Sequence, residues 1–207
     1  TAIAEGVAHT GKMRNNGFSL IELLTVMVLV GIMAGLGTVS YRGWIRKHEL
    51  ESQVKEVYTD LMDARITAMH RNRVHFVALA ANSLRAYEDT NPAPNGDRIL
   101  TLGADGPLCM WERRSGEPAD STCSGNGSLS YKNLKYSMTW NGSSTLGFNT
   151  RGLTNTPCTI CVNYTTNPSI PTNAQYDCIS LSSTRMHLGK LVNKAGGCTS
   201  GNCAETR

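Results

Sequence analysis

An apolar run with one internal charge limits this chain more than any other feature of its sequence. The run extends from Leu20 to Val39, and its single ionisable side chain is that of Glu22. About 20 consecutive apolar residues are the length that an α-helix needs to cross a bilayer. A carboxylate in hydrocarbon costs at least ~2.5 kcal/mol, so it requires hydration or a positively charged partner. The run therefore predicts a membrane-inserted helix with a constrained acid near its start.

Two interpretations of this acid stay open on the residues alone. Close to the lipid headgroups, Glu22 could remain hydrated, and the segment would be a plain signal anchor. Alternatively, cleavage between Gly17 and Phe18 creates an α-amino group on Phe18, which Glu22 of a neighbouring subunit neutralises. A removable secretory signal is a third possibility, but an amphipathic helix follows the run without a break. Lys12 and Arg14 precede the run and favour a cytoplasmic N-terminus.

Downstream of the run, the sequence continues as an amphipathic helix. Apolar residues recur at steps of four and three, at Leu50, Val54, Val57, Leu61, Ala64 and Ala68. This spacing forms one face of a helix. Charged residues occupy the other face, at Glu51, Lys55, Glu56, Asp60, Asp63 and Arg71. Because no proline lies between Phe18 and Asn91, we expect one helix from Phe18 to about Arg71.

Three glycines, Gly31, Gly35 and Gly37, lie near the middle of this predicted helix. Glycine lowers helix stability, so they indicate a soft point that can stretch or partly unwind. Small residues also permit close contact between helices without any unwinding. The sequence does not decide between these two interpretations.

After residue 73 the pattern changes to short strands separated by turns. The candidate strands are Val74–Ala80, Leu84–Tyr87, Arg98–Leu102, Leu108–Glu112, Leu129–Tyr136, Thr145–Asn149, Thr159–Tyr164, Tyr176–Leu181 and Met186–Val192. His187 to Lys190 is typical of a hairpin tip. A helix followed by strands predicts the α+β class, with an antiparallel sheet or small sandwich packed on the amphipathic half of the helix. The predicted divisions are 1–17, an apolar half-helix at 18–40, an amphipathic half-helix at 41–72 and a β-rich head at 73–207.

Seven cysteines follow the apolar run and none precedes it: Cys109, Cys123, Cys158, Cys161, Cys178, Cys198 and Cys203. This distribution predicts an oxidising compartment and structural disulfides, and the odd number leaves at least one thiol over. Proximity favours Cys109 with Cys123 and Cys198 with Cys203. Cys158 with Cys161, or Cys178 with Cys198, are alternatives. The Cys158–Cys161 spacing is half of a metal site with no second half, so we expect no metal and no cofactor.

The start of the apolar run resembles a known processing signal. Gly17 to Leu24 reads GFSLIELL, which is similar to the class III signal of type IV prepilins and type II secretion pseudopilins. The resemblance implies a prepilin peptidase that cuts between Gly17 and Phe18 and N-methylates Phe18. It makes residues 1–17 a leader, 18–40 the transmembrane and assembly segment, and Glu22 the assembly glutamate. The implied fold is the pilin fold, with the long helix packed on the β-rich head.

Two further stretches resemble the FimT/GspH-like subunits of this superfamily: residues 63–74, DARITAMHRNRV, and residues 147–152, GFNTRG. The resemblance implies a minor pilin at or near a filament tip, or a minor pseudopilin of type II secretion. The implied partners are other pilin or pseudopilin subunits, the prepilin peptidase, the inner-membrane assembly platform and, before assembly, membrane lipid. The implied location is the bacterial inner membrane, and afterwards a filament that crosses the periplasm or extends outside the cell.

Some FimT-like subunits bind DNA through a basic G-R-x-R stretch, which this chain lacks. Arg185, Lys190 and Lys194 remain as a possible weak nucleic-acid contact. A membrane-anchored enzyme is the rival class. Its candidate pair would be Cys161 or Cys178 with His187, but no catalytic motif surrounds them. The sequence therefore predicts a structural subunit and no catalytic residue.

Overall fold

The computed structural model describes residues 18–93, 96–113, 115–123, 127–162, 174–193 and 196–206, with only the backbone described at 36–40 and 42. The chain divides into two compact units, Thr1–Arg42 and Gly43–Arg207, and each is described by itself. The leader at 1–17, including Gly17, lies outside the described residues, as does Lys194.

Helix α1 extends from Leu20 to Arg71 and covers 52 residues. Its six stripe residues, from Leu50 to Ala68, are all 0% exposed, which confirms the predicted buried face. The helix ends at Arg71, and the φ of the next residue, Asn72, is 52°, in the left-handed region that asparagine tolerates. The Arg73 N–H donates to the Ala68 carbonyl at 3.2 Å, as in a Schellman C-cap. A local signal thus ends α1 where the sequence predicted.

The glycines in the apolar half do not interrupt α1, which is helical through Gly31 and Gly35. A side chain built at either position would meet no atom within 4 Å. Among the described residues, no helix combines the length and hydropathy needed to cross a membrane. The transmembrane assignment of 18–40 stays a prediction.

Short strands make up the rest of the second unit: β1 (His75–Ala80), β2 (Ser83–Glu88), β3 (Gly106–Pro107), β4 (Trp111–Glu112), β5 (Ser128–Leu129), β6 (Tyr131–Asn133), β7 (Met138–Asn141), β8 (Thr145–Phe148), β9 (Cys158–Val162), β10 (Cys178–Leu181), β11 (Met186–Leu191) and β12 (Cys203–Glu205). One sheet has the order β3-β2-β1-β8, with β6 also pairing β2. A second has the order β12-β11-β10-β9-β7, and β4 pairs β5. The pairings are antiparallel. Residues of both sheets share one apolar core with the stripe of α1, which confirms the α+β class.

The predicted strand at Arg98–Leu102 is wrong. This segment is irregular, because two buried carboxylates take the amides that a β-ladder would use. Asp89 accepts the Arg98 N–H at 2.7 Å, and Asp105 accepts the Thr101 N–H at 2.6 Å. Side-chain acceptors of this kind compete with regular secondary structure. Strands β3, β7 and β12 were not predicted.

The predicted hairpin tip at His187–Lys190 is also wrong, since these residues lie inside β11. The turn comes earlier, where the Ser182 N–H donates to the Arg185 carbonyl at 2.8 Å. Gly189 marks a close approach between strands and not a turn. A Cβ there would lie 2.6 Å from the Cys203 sulfur and 2.7 Å from the Ala204 carbonyl oxygen.

One residue of the predicted charged face of α1 is buried. Asp60 is 5% exposed, and its carboxylate lies 2.9 Å from the Lys132 ammonium on β6. The same ammonium lies 3.0 Å from Glu56. Burial raises the pKa of Asp60 to about 6, although Lys132 acts in the opposite direction. The helix therefore contacts the first sheet through an ion pair as well as through its apolar stripe.

Three disulfides form within the described part of the chain: Cys109–Cys123, Cys161–Cys198 and Cys178–Cys203. The first is one of the two pairs that proximity favoured. The other favoured pair, Cys198 with Cys203, is wrong, and so are Cys158 with Cys161 and Cys178 with Cys198. Strand pairing places Cys161 on β9 directly opposite Cys178 on β10. Each of these two cysteines is bonded to a cysteine of the C-terminal segment, Cys161 to Cys198 and Cys178 to Cys203. Both bonds therefore hold the C-terminal segment against the second sheet, and Cys158 remains a buried free thiol.

Candidate processing and assembly site

The first turn of α1 gives Glu22 a local structural setting. The Ser19 carbonyl accepts the Glu22 N–H at 3.0 Å and the Leu23 N–H at 3.2 Å, so Ser19 stands at the N-cap and Glu22 is the third helical residue. Ser-x-x-Glu is the spacing of a capping box, and an acid in the first turn interacts favourably with the helix dipole. This signal is visible in the sequence, but our sequence interpretation did not use it. The Glu22 side chain does not close the capping box, so its local contribution to the helix is the interaction with the dipole.

Apolar side chains along the first part of α1 are exposed. Phe18 is 83% exposed and Leu20 is 84% exposed. The same holds for Ile21, Leu23, Leu24, Val26, Met27, Val28, Leu29, Val30, Ile32 and Met33. An exposed apolar surface of this extent marks a membrane or protein contact. This surface therefore requires cover that the described residues of the first unit do not provide.

The Glu22 side chain is exposed on this apolar surface. Its carboxylate has no hydrogen bond and no ion pair with any residue that the structure describes. Its backbone carbonyl accepts the Thr25 hydroxyl at 2.9 Å, a contact that leaves the acid free. A carboxylate so placed can pair with a cation on another molecule.

The predicted cleavage bond has only one side within the described residues. Phe18 is exposed and precedes the helix, whereas Gly17 is not described. Cleavage between them and methylation of Phe18 therefore stay predictions. The other candidate residues lie in the second unit, and the structure assigns them no shared site.

The basic residues considered for nucleic acid receive little support. Arg185 lies 3.7 Å from Glu205, which offsets its charge. Lys190 lies on β11. Two other arginines near the end of α1, Arg71 and Arg73, both lie within ion-pair distance of Glu88. A nucleic-acid contact stays an untested prediction.

The two candidate catalytic pairs, Cys161 or Cys178 with His187, have no free thiol, since the sulfurs of both cysteines are in disulfides. The remaining thiol, Cys158, is buried, and burial raises its pKa to about 11. A thiol with so high a pKa holds almost no thiolate near neutrality. The described cysteines therefore offer no reactive nucleophile.

Comparison with known proteins agrees with the N-terminal geometry. Residues 12–38 match a family model described as the prokaryotic N-terminal methylation motif. The match spans the predicted cleavage bond, Glu22 and most of the exposed apolar surface. It supports a type IV pilin-like or pseudopilin-like chain that is processed by a prepilin peptidase and interacts with other pilin subunits. The motif is also consistent with membrane anchoring before filament assembly. No curated protein and no solved structure matches the chain.

Proposed function

We propose that this chain is a minor subunit of a type IV pilus. It enters the bacterial inner membrane as a precursor, is cleaved after Gly17, is methylated at Phe18, and joins the filament at or near its tip. The observation that carries the proposal is the exposed apolar start of α1, with Glu22 as its one acid. Lipid covers this surface first, and the helices of other subunits cover it after assembly.

The charge on Glu22 fixes the axial offset between neighbouring subunits in the filament. Cleavage exposes a positively charged amine on Phe18, and a neighbouring Glu22 neutralises it. In the low-dielectric interior of a helix bundle, an uncompensated charge is strongly unfavourable, whereas a matched pair is tolerated. Apolar packing alone is non-directional, so it would permit many axial offsets between subunits. The pairing selects one of them.

A minor pseudopilin of a type II secretion system is the alternative assembly role. Residues 63–74 and 147–152 support a FimT/GspH-like subunit in either system. The three disulfides fit either system, because the periplasm and the cell exterior are both oxidising, whereas the Ser-, Thr- and Asn-rich sequence of the second unit favours a filament component that is exposed outside the cell. Neighbouring genes discriminate, since an adhesin indicates a pilus and a secretin indicates secretion. We also propose a structural and not an enzymatic role.

Replacing Glu22 by alanine tests the proposed role directly. We expect the variant to enter the membrane and to be cleaved, but its share in purified filaments to fall at least about tenfold, because the Phe18 amine has no partner. N-terminal sequencing of the mature protein and quantification in sheared filaments are the measurements. Asp63→Ala is the matched control, since Asp63 is an exposed acid on the same helix.

Two outcomes would sink the proposal. One is normal incorporation of Glu22→Ala into filaments. The other is a mature chain that begins at a residue other than Phe18. If Glu22→Ala and Asp63→Ala lost incorporation equally, the charge of α1 as a whole would matter and the position of Glu22 would not.

A further inference from the structure

An open groove lies on the first sheet of the second unit, on the face opposite the core. Val77 and Leu79 of β1 belong to the core cluster, so Phe76, which precedes Val77, points to the other face. Phe76 forms the floor of a groove of about 470 Å³, which lies within the usual range for ligand sites. A second depression of about 290 Å³ continues it and shares Val74, Arg98 and Leu153 with it.

A missing side chain opens this groove. Gly147 on β8 is directly opposite Phe76 on β1, and a Cβ at Gly147 would lie 3.5 Å from the Phe76 ring. Leu100, Leu102 and Leu153 form its walls. Leucines on both sides of an aromatic floor make a slot that suits an apolar side chain.

Two arginines give the groove its charge. Arg98 lines both depressions, and Arg151 lines the second. Neither guanidinium has a hydrogen bond or ion pair with any residue that the structure describes. No aspartate or glutamate is among the described residues that line the groove. The rest of the polar lining consists of Asn149, Asn155 and three threonines, Thr145, Thr150 and Thr156.

The position of Arg98 carries a conformational cost. Its φ is 66°, in the left-handed region that is unfavourable for a residue other than glycine. Asp89, which is fully buried, offsets this cost by accepting the N–H groups of Arg98 at 2.7 Å and Asp97 at 3.2 Å. A strained arginine held beside an apolar slot, with no partner of its own, is poised for an external anion.

We propose that this groove binds a peptide segment of a partner protein that presents an apolar side chain next to a carboxylate. The apolar side chain enters the slot over Phe76, and the carboxylate pairs with the guanidinium groups of Arg98 and Arg151. Arginine suits this role because its planar fork matches a carboxylate and it is weakly hydrated. The groove is therefore a docking surface that the processing and assembly residues do not supply.

A peptide fits these features better than a nucleic acid does. Single strands bind through exposed aromatic faces on which bases stack, but Phe76 is only 5% exposed and lies at the bottom of the groove. Duplex binding needs many phosphate contacts, and this groove supplies two arginines. An apolar slot beside two cations is instead complementary to an acidic and apolar peptide.

Fluorescence anisotropy with the full chain in detergent micelles tests the proposal. The probe is a labelled peptide, Ser-Gly-Leu-Glu-Leu-Gly-Ser. Its matched controls carry Gln in place of Glu, or Ala in place of both Leu. We expect the parent peptide to bind at least about tenfold more tightly than either control, since each removes one of the two interactions. A short labelled DNA duplex serves as the competing ligand.

Variants of the chain assign the binding to the groove. Arg98→Gln and Arg151→Gln should each remove the preference for Glu over Gln, and Gly147→Val should fill the slot. Arg113→Gln, which removes one exposed positive charge outside the groove, should leave binding unchanged. Because the two arginines are exposed, their variants keep the test valid even if Gly147→Val folds poorly.

Three results would overturn the proposal: equal affinity for the three peptides, binding that neither arginine variant alters, or selective binding of the duplex through Arg98 and Arg151. None of these results bears on cleavage after Gly17 or on Glu22. The groove and the proposed assembly role therefore fail or succeed separately.

Discussion

Lys132 lies between two carboxylates of α1, 3.0 Å from Glu56 and 2.9 Å from Asp60. Asp60 is the more deeply buried of the two acids, and burial raises its pKa from 3.8 to about 6. Its ionisation is therefore coupled to the folding of the second unit.

Asp60 makes stability depend on pH in a definite direction. A raised pKa means that the folded state binds the proton more tightly than the unfolded state does. The stabilisation is complete below pH 3.8 and is lost as the pH rises through about 6. A difference of about two pKa units corresponds to roughly 3 kcal/mol.

Asp60→Asn should remove this dependence. Between about pH 4 and pH 6, the unfolding free energy of the wild type should fall by up to ~3 kcal/mol relative to that of the variant. Urea unfolding of both chains in micelles across this range measures the difference. Asp63→Asn, at an exposed position on the same helix, should leave the slope unchanged. Parallel curves for the wild type and Asp60→Asn would contradict the role of Asp60.

Among the helices and strands, the features that were predicted correctly are those that depend on residues close together in the sequence. The stripe from Leu50 to Ala68 and the end of α1 at Arg71 depend on periodicity and on a nearby cap, and both are confirmed. The burial of Asp60 depends on Lys132, which is 72 residues away. The irregular course of Arg98 likewise depends on Asp89. No local sequence pattern contains such contacts. The exposed position of Asp60 and the strand at Arg98–Leu102 were therefore predicted incorrectly.

The same distinction between local and long-range determinants applies to the N-terminal site and to the groove. A short sequence motif predicts Gly17, Phe18 and Glu22, and of these the structure describes Phe18 and Glu22, at the start of α1. The groove over Phe76 was not identified, because it requires the register that places Gly147 opposite Phe76. That register depends on strand pairing across about 70 residues.

In strand β11, contacts with neighbouring strands explain why position 189 is a glycine. Gly189 is paired with Cys178 on β10 and with Glu205 on β12. The Cys178–Cys203 bond joins the two outer strands of this trio, and its sulfur passes close to Gly189. A side chain at position 189 would occupy the space that the disulfide needs.

Gly189→Ala should therefore destabilise the β10-β11-β12 arrangement by roughly 1–3 kcal/mol, as overpacking of a close contact does. Thermal unfolding and a count of free thiols are the measurements, and a fraction of chains with reduced Cys178 and Cys203 is expected. Gly201→Ala is the matched control, because no atom lies within 4 Å of a Cβ built there. An equal effect of both variants would show that backbone flexibility, and not the approach of Cys203, explains the glycine.

Across the whole molecule, the distribution of cysteines distinguishes a unit that disulfides stabilise from a unit that has no cysteine. All seven lie in the second unit, whereas the first unit has an exposed apolar helix and no cysteine. The first unit is suited to lipid or to other helices, and the second to an oxidising aqueous compartment. Each unit thus carries the chemistry of a different environment.

The C-terminal segment is held by two cross-links whose partners are 37 and 25 residues apart in sequence. In the chain-entropy model, each contributes roughly 3.5–4 kcal/mol by constraining the unfolded state. A domain of ordinary stability has about 5–15 kcal/mol in total, so the two bonds together account for a large part of it.

Removing either bond should have a large effect, and removing both should prevent folding. We expect Cys161→Ala with Cys198→Ala, or Cys178→Ala with Cys203→Ala, to lower the unfolding free energy by about 3 kcal/mol or more in urea titrations. Cys158→Ala removes a buried thiol but no cross-link, so its cost should stay near 1 kcal/mol. Non-reducing peptide mapping provides an independent check. A fragment that links Cys198 to Cys203 would show that the native chain uses the pairing of sequence neighbours, and the C-terminal strand would then lose both of its attachments to the sheet.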